Sequence, residues 1–139
     1  MRFTQFYNQG PSAFTDGQDI TFFGDFSQSH SVFVHEATHN LDRWIAGDSN
    51  NWYSYTDAWR SWTNTQDSCV PDGYAMASYT EDFAQTGVLV AYDANVAPLH
   101  KTEGASDCFK TQYARAGKEI RKTWKYDAGR RCKQRIQEE

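Results

Sequence analysis

The sequence predicts an α+β, helix-dominated fold, and three observations carry that expectation. Residues 29–46 read as a helix, with Ser27 or Ser29 available to cap it and Gly47 to stop it. Residues 19–26, Asp-Ile-Thr-Phe-Phe-Gly-Asp-Phe, are aromatic and β-branched and read as one strand ahead of that helix. Further helical stretches follow, one opened by Ser78-Tyr79-Thr80-Glu81 and one or two more within 108–137. At 139 residues the chain fits one domain, 1–139, built on a single core. Aromatic residues make up 16%, enough apolar surface to offset the ordering entropy of a fold, so disorder is not expected.

Each element has its own local reason. Residues 1–18 carry the turn signals Gly10-Pro11 and Asp16-Gly17. On the first helix Val32, His35, His39 and Asp42 share one side, while Phe33, Ala37, Leu41 and Trp44 share another. The apolar side is expected to pack and the histidine side to face a cleft. Residues 48–72 are polar and rich in Trp and Tyr, with a short helix expected over Asp57–Trp62 inside a long connection. The second long helix runs to about Tyr92 through Phe83, Ala84, Val88, Leu89 and Ala91, and residues 96–107 read as a loop. Beyond that, Phe109, Tyr113, Ile120, Trp124 and Ile136 are the apolar anchors of an amphipathic stretch.

The net charge of −4 is unevenly spread. Residues 1–99 hold three Lys/Arg against twelve Asp/Glu, and residues 100–139 hold eleven against six. A basic tail can mark a nucleic-acid surface, but Glu119, Asp127, Glu138 and Glu139 dilute this one. A solvated helix face docking on an acidic body is the expectation, with no nucleic-acid partner. No apolar run approaches the roughly 20 residues of a membrane span, so no membrane partner is expected either. Cys69, Cys108 and Cys132 are widely spaced, which argues against a cysteine-ligated zinc site. Either one disulfide forms, Cys69–Cys108 being favoured, or all three are buried thiols of a reduced protein. The Trp, Tyr, Asn and Ser content suggests a secreted, extracellular monomer, although no signal-peptide pattern follows Met1.

The most specific motif is His35-Glu36-Ala37-Thr38-His39. Four positions on a helix bring two side chains to one face, so both imidazoles can reach one tetrahedral Zn²⁺. Glu36 then stands beside the ion, where a carboxylate can act as general base. One Zn²⁺ per chain is therefore expected. A hydrolytic zinc keeps three protein ligands and one open position. The metzincin arrangement is excluded, because Ile45 and Asp42 stand where its third ligand and its glycine would be. Glu81, near the start of the next helix, has the placement of the third ligand in gluzincins such as thermolysin.

The chain more closely resembles the catalytic domain of anthrax lethal factor and its relatives. The resemblance rests on Tyr74-Ala75-Met76-Ala77-Ser78-Tyr79-Thr80-Glu81-Asp82-Phe83-Ala84-Gln85, in which a tyrosine precedes a Glu-x-Phe-Ala string by seven positions. It spans roughly residues 19–92 and implies a compact zincin-like (gluzincin) domain with a small strand element before the histidine helix. It further implies a zinc metallopeptidase with His35, His39 and Glu81 on the metal, Glu36 as base, Tyr74 on the oxyanion or leaving amine, and a peptide or protein substrate. Gln85 departs from the family string, which has an acid there; its amide is expected still to accept from a histidine N–H and to orient it.

Several of these residues have competing roles. Ser78-x-x-Glu81 is also a capping box, in which Glu81 would bond the Ser78 amide, and Asp82 is the substitute ligand. Tyr79 competes with Tyr74. Asp42 can orient a histidine or pair with Arg43 or the basic tail, and His30 and His100 read as surface residues, His100 with some reach toward the site. The rival functions are a non-catalytic, zinc-stabilised secreted binding or effector protein with an aromatic surface, and a zinc hydrolase acting on a non-peptide amide or ester.

Overall fold

The computed structural model describes residues 3–6, 12–25, 29–47, 50–101 and 107–129. Three short strands come first: β1 (Phe3–Phe6), β2 (Ser12–Asp16) and β3 (Asp19–Phe23). They form one sheet of order β1-β3-β2, with β3 parallel to β1 and antiparallel to β2. Asp16 pairs with Asp19 across a two-residue loop, and Gly17 at φ 60° supplies the left-handed conformation such a loop needs. Along β3 the side chains alternate, and Ile20 and Phe22 turn inward onto Ala37.

The helices are α1 (His30–Ala46), the short α2 (Asp57–Ser61), α3 (Tyr79–Asn95) and α4 (Lys110–Trp124). Helix α1 stops at Gly47, whose φ of 73° turns its N–H back to the Trp44 carbonyl. Helix α2 is capped by Thr56, whose hydroxyl accepts from the Trp59 N–H. Helix α3 is central, packed on α1 along one side and on α4 along the other. Between α3, α2 and α4 lies the main core of Trp59, Phe83, Val90, Ala116 and Ile120. The architecture is α+β and helix-dominated, as expected.

The structure adds strands that the sequence reading leaves out. β1 and β2 are edge strands of four and five residues, and β2 alternates between exposed and half-buried positions with no fully buried side chain. Strands so short carry almost no periodic signal. The end of the long aromatic connection is fastened to α4. Cys69 is disulfide-bonded to Cys108, and the Asp67 carboxylate accepts from the Thr111 and Gln112 N–H groups at 3.0 and 2.8 Å, capping α4. Cys132 and Ile136 lie outside the described residues, and so do Arg130, Arg131, Lys133 and Arg135 of the basic tail. Within α4, Arg121 pairs with Asp93 and Arg115 lies over the Trp62 ring, so part of the cationic segment does dock on the body. Among the described residues no helix is long and apolar enough to cross a membrane.

Candidate metal centre

Helix α1 brings His35 and His39 edge to face, with ring centroids 4.8 Å apart and Nε2 atoms 3.2 Å apart. The first turn of α3 adds Glu81, whose Oε2 lies 2.9 Å from His35 Nε2 and 3.5 Å from His39 Nε2. Ser78 caps α3 alone: its Oγ accepts from the Glu81 N–H at 3.2 Å. The Glu81 side chain is turned to the imidazoles, so only half of the capping box forms. His35 first and then His39 hold the Glu81 carboxyl down at about 2. Burial opposes charge on His35, but contact with Glu81 and Gln85 outweighs it and raises the imidazole above its ordinary 6.5.

The spacing of these three atoms tests whether a cation fits. Ligand atoms on a tetrahedral Zn²⁺ lie about 2.1 Å from the ion, hence roughly 3.4 Å from one another. The three separations here are 2.9, 3.2 and 3.5 Å. When each neutral ring carries its proton on Nδ1, the two Nε2 atoms and the carboxylate oxygen have only lone pairs to offer one another. Glu81 Oε2 is buried and makes no well-aligned hydrogen bond despite its close approach to His35. Among the described residues this is the group of His, Cys, Asp and Glu side chains able to hold an ion.

Around it lie oriented partners. Gln85 Oε1 accepts from His35 Nδ1 at 3.0 Å, as expected of the amide, and Gln85 Nε2 donates to Asp72 Oδ2 at 2.6 Å. The other Asp72 oxygen accepts from the Tyr74 and Ala75 N–H groups, both at 2.9 Å. His39 packs edge-on against Trp52, whose ring carries the Arg43 guanidinium at 4.2 Å. Glu36 is buried, and Thr15 on β2 reaches both its Oε2 at 2.7 Å and its backbone oxygen at 2.9 Å. One hydroxyl has one proton, so it can serve these two acceptors only in turn or by sharing. His35, Glu36, Tyr74 and Gln85 open onto a groove of about 370 Å³ bordered by Ser12 and Ala13 of β2. Tyr74 is exposed, its ring 5.6 Å from that of His35.

Other residues weighed for the site serve elsewhere. Asp82 is buried and accepts from Trp59 Nε1 at 3.0 Å, with burial raising its carboxyl to about 7. Asp42 turns from the histidines to accept from Ser54 N and Oγ at 2.8 and 2.6 Å. The Tyr79 hydroxyl accepts from Asn64, and His30 is exposed at the start of α1. The His100 side chain lies outside the described residues. Thr15 and Asp72 escape the sequence reading. Nothing near Thr15 marks it, whereas Pro71-Asp72-Gly73 at least signals a turn whose Asp caps the N–H groups that follow.

The profile of the family described as Conidiation-specific protein Con-13 matches residues 3–138. The chain belongs to the Con-13 family. A curated relative, Conidiation-specific protein 13 of Neurospora crassa, is 40% identical over 122 residues, 87% of this chain and 35% of the relative. This Con-13 chain thus spans about a third of that protein's length. No solved structure matches it significantly.

Membership in the Con-13 family corrects the lineage and activity expected from the motifs. The family and its relative are described by conidiation and not by hydrolysis, so the assignment to gluzincin metallopeptidases of the lethal-factor type does not stand. With it falls peptide-bond cleavage as the expected activity. The physical reason is plain. His-Glu-x-x-His with a later glutamate arranges side chains around a point, and many lineages can arrive at that arrangement without sharing a reaction.

Proposed function

We propose that this member of the Con-13 family is a metal-binding protein that holds one divalent transition-metal ion, Zn²⁺ by its donor set, on His35, His39 and Glu81. The observation that carries the reading is the triangle of ligand atoms, whose sides of 2.9, 3.2 and 3.5 Å suit a small tetrahedral ion. Ca²⁺ wants six to eight oxygen donors at longer range and suits two imidazoles poorly. The groove beside His35 and Glu36 favours a site left open to an added ligand over a closed structural one. Zn²⁺ bound there would supply Lewis acidity toward an oxygen ligand. Glu36, held by Thr15, offers a proton acceptor at the mouth of the site, and the Tyr74 ring forms one wall. A zincin-like arrangement is part of this reading only in the sense that an edge strand runs beside the histidine helix. The relative's name attaches it to conidiation, and we carry that context to this chain, together with an oxidising, extracellular compartment in keeping with the Cys69–Cys108 disulfide.

Metal content by mass spectrometry, on protein purified without added metal or chelator, tests the proposal. About one zinc per chain is expected, with His39→Ala and Glu81→Ala folded but losing most of it. A parent chain that carries no zinc and takes none up on titration overturns the reading.

A further inference from the structure

Asp72 touches neither histidine, yet the hydrogen bonds that run from it call for a proton on His35 Nδ1. A carboxylate can only accept, so the Gln85 amide must turn its NH₂ toward Asp72. The carbonyl oxygen of that amide then faces His35 Nδ1, and an oxygen facing a ring nitrogen requires that nitrogen to carry the proton. In the neutral ring the lone pair of His35 is thereby placed on Nε2, the atom turned toward His39 and Glu81.

Resting on the metal-centre reading, we propose that Asp72 is a positioning residue that sets the polarity of the Asp72–Gln85–His35 relay and so holds His35 as the Nδ1–H tautomer a metal requires. The relay also accounts for an amide at position 85. A glutamate there would place two carboxylates within hydrogen-bond distance, since Gln85 and Asp72 are 2.6 Å apart. The amide instead passes on the influence of the anion behind it. The same carboxylate gathers the Tyr74 and Ala75 N–H groups, so the loop that brings Tyr74 to the groove and the ring of His35 are set by one side chain.

Asp72→Asn is the decisive substitution because it changes polarity and almost nothing else. The Tyr74 and Ala75 N–H groups still need an acceptor, so the Asn oxygen stays with them and its NH₂ faces Gln85. Gln85 must then accept there and turn its own NH₂ toward His35, which leaves the His35 proton on Nε2. Adding Gln85→Glu to Asp72→Asn puts an acceptor back at both ends and restores the original sense.

The test reads the His35 tautomer by imidazole nitrogen NMR on metal-free protein, well above the imidazole pKa, and zinc affinity in parallel. Expected are Nδ1–H in the parent, Nε2–H in Asp72→Asn, and Nδ1–H again in the double variant. Zinc affinity should fall about tenfold in the single variant and recover in the double one. An unchanged tautomer in Asp72→Asn, or a change that Gln85→Glu fails to reverse, overturns the proposal. Should Asp72→Asn not fold, Gln85→Leu takes its place and must release His35 to a mixture of tautomers; a pure Nδ1–H form there overturns the proposal equally. A parent chain that binds no zinc would sink the metal reading alone, since the tautomer result stands without metal.

Discussion

Asp42 has no contact with solvent and accepts two hydrogen bonds from Ser54. Burial nonetheless outweighs those bonds and raises its carboxyl from 3.8 to about 6. A carboxyl whose folded pKa lies above the unfolded one favours folding when protonated. Its contribution is complete below the unfolded value and is lost as pH rises through the folded one. Metal-free protein should therefore lose on the order of 2–3 kcal/mol between about pH 4 and about pH 7 relative to Asp42→Asn. Asn keeps the oxygen that accepts from Ser54 N and has no charge to bury. Urea unfolding of both proteins across that range checks the claim, and parallel stability profiles would refute it.

The site exists because α1 and α3 approach closely, and one residue permits the approach. A Cβ built on Gly87 would stand within 3.0 Å of three side-chain atoms of Thr38, both residues being buried. Gly87→Ala should cost roughly 1–3 kcal/mol by overpacking and part Glu81 from the histidines, weakening zinc uptake as well. Adding Thr38→Ala should recover most of both losses, and a double-mutant cycle with additive costs would show that the two residues do not share this contact. Much of this was legible in the chain itself. Gly47 and Ser78 mark helix ends, and a four-residue spacing places His35 over His39 by geometry alone. Glu81 was legible from its place at the head of the next helix. β1 and β2 were not, being short edge strands, and the polarity of Gln85 was not, because it depends on how residues 72–75 fold back on α3. Nor could the motif disclose lineage, since ligand geometry constrains so few positions.

At the scale of the molecule, the fastening of Cys69 to Cys108 acts on a different seam from the candidate metal site. The two cysteines are 39 residues apart, a separation for which chain entropy alone suggests about 4 kcal/mol of stabilisation. The bond secures the start of α4, which Asp67 also caps, whereas a metal would secure α1 to α3. None of the three candidate ligands is a cysteine, so a reductant and, with metal bound, a chelator would address separate parts of one structure. The disulfide also makes a covalent ring of residues 69–108, and all of α3 lies within it. Glu81, Gln85 and Asp72 are members of that ring, while His35 and His39 lie on the strand of chain leading into it. A single proteolytic nick between Val70 and Thr80 would sever Glu81 from both histidines along the backbone. It would still leave one molecule, with every candidate ligand tethered to the others until the disulfide is reduced.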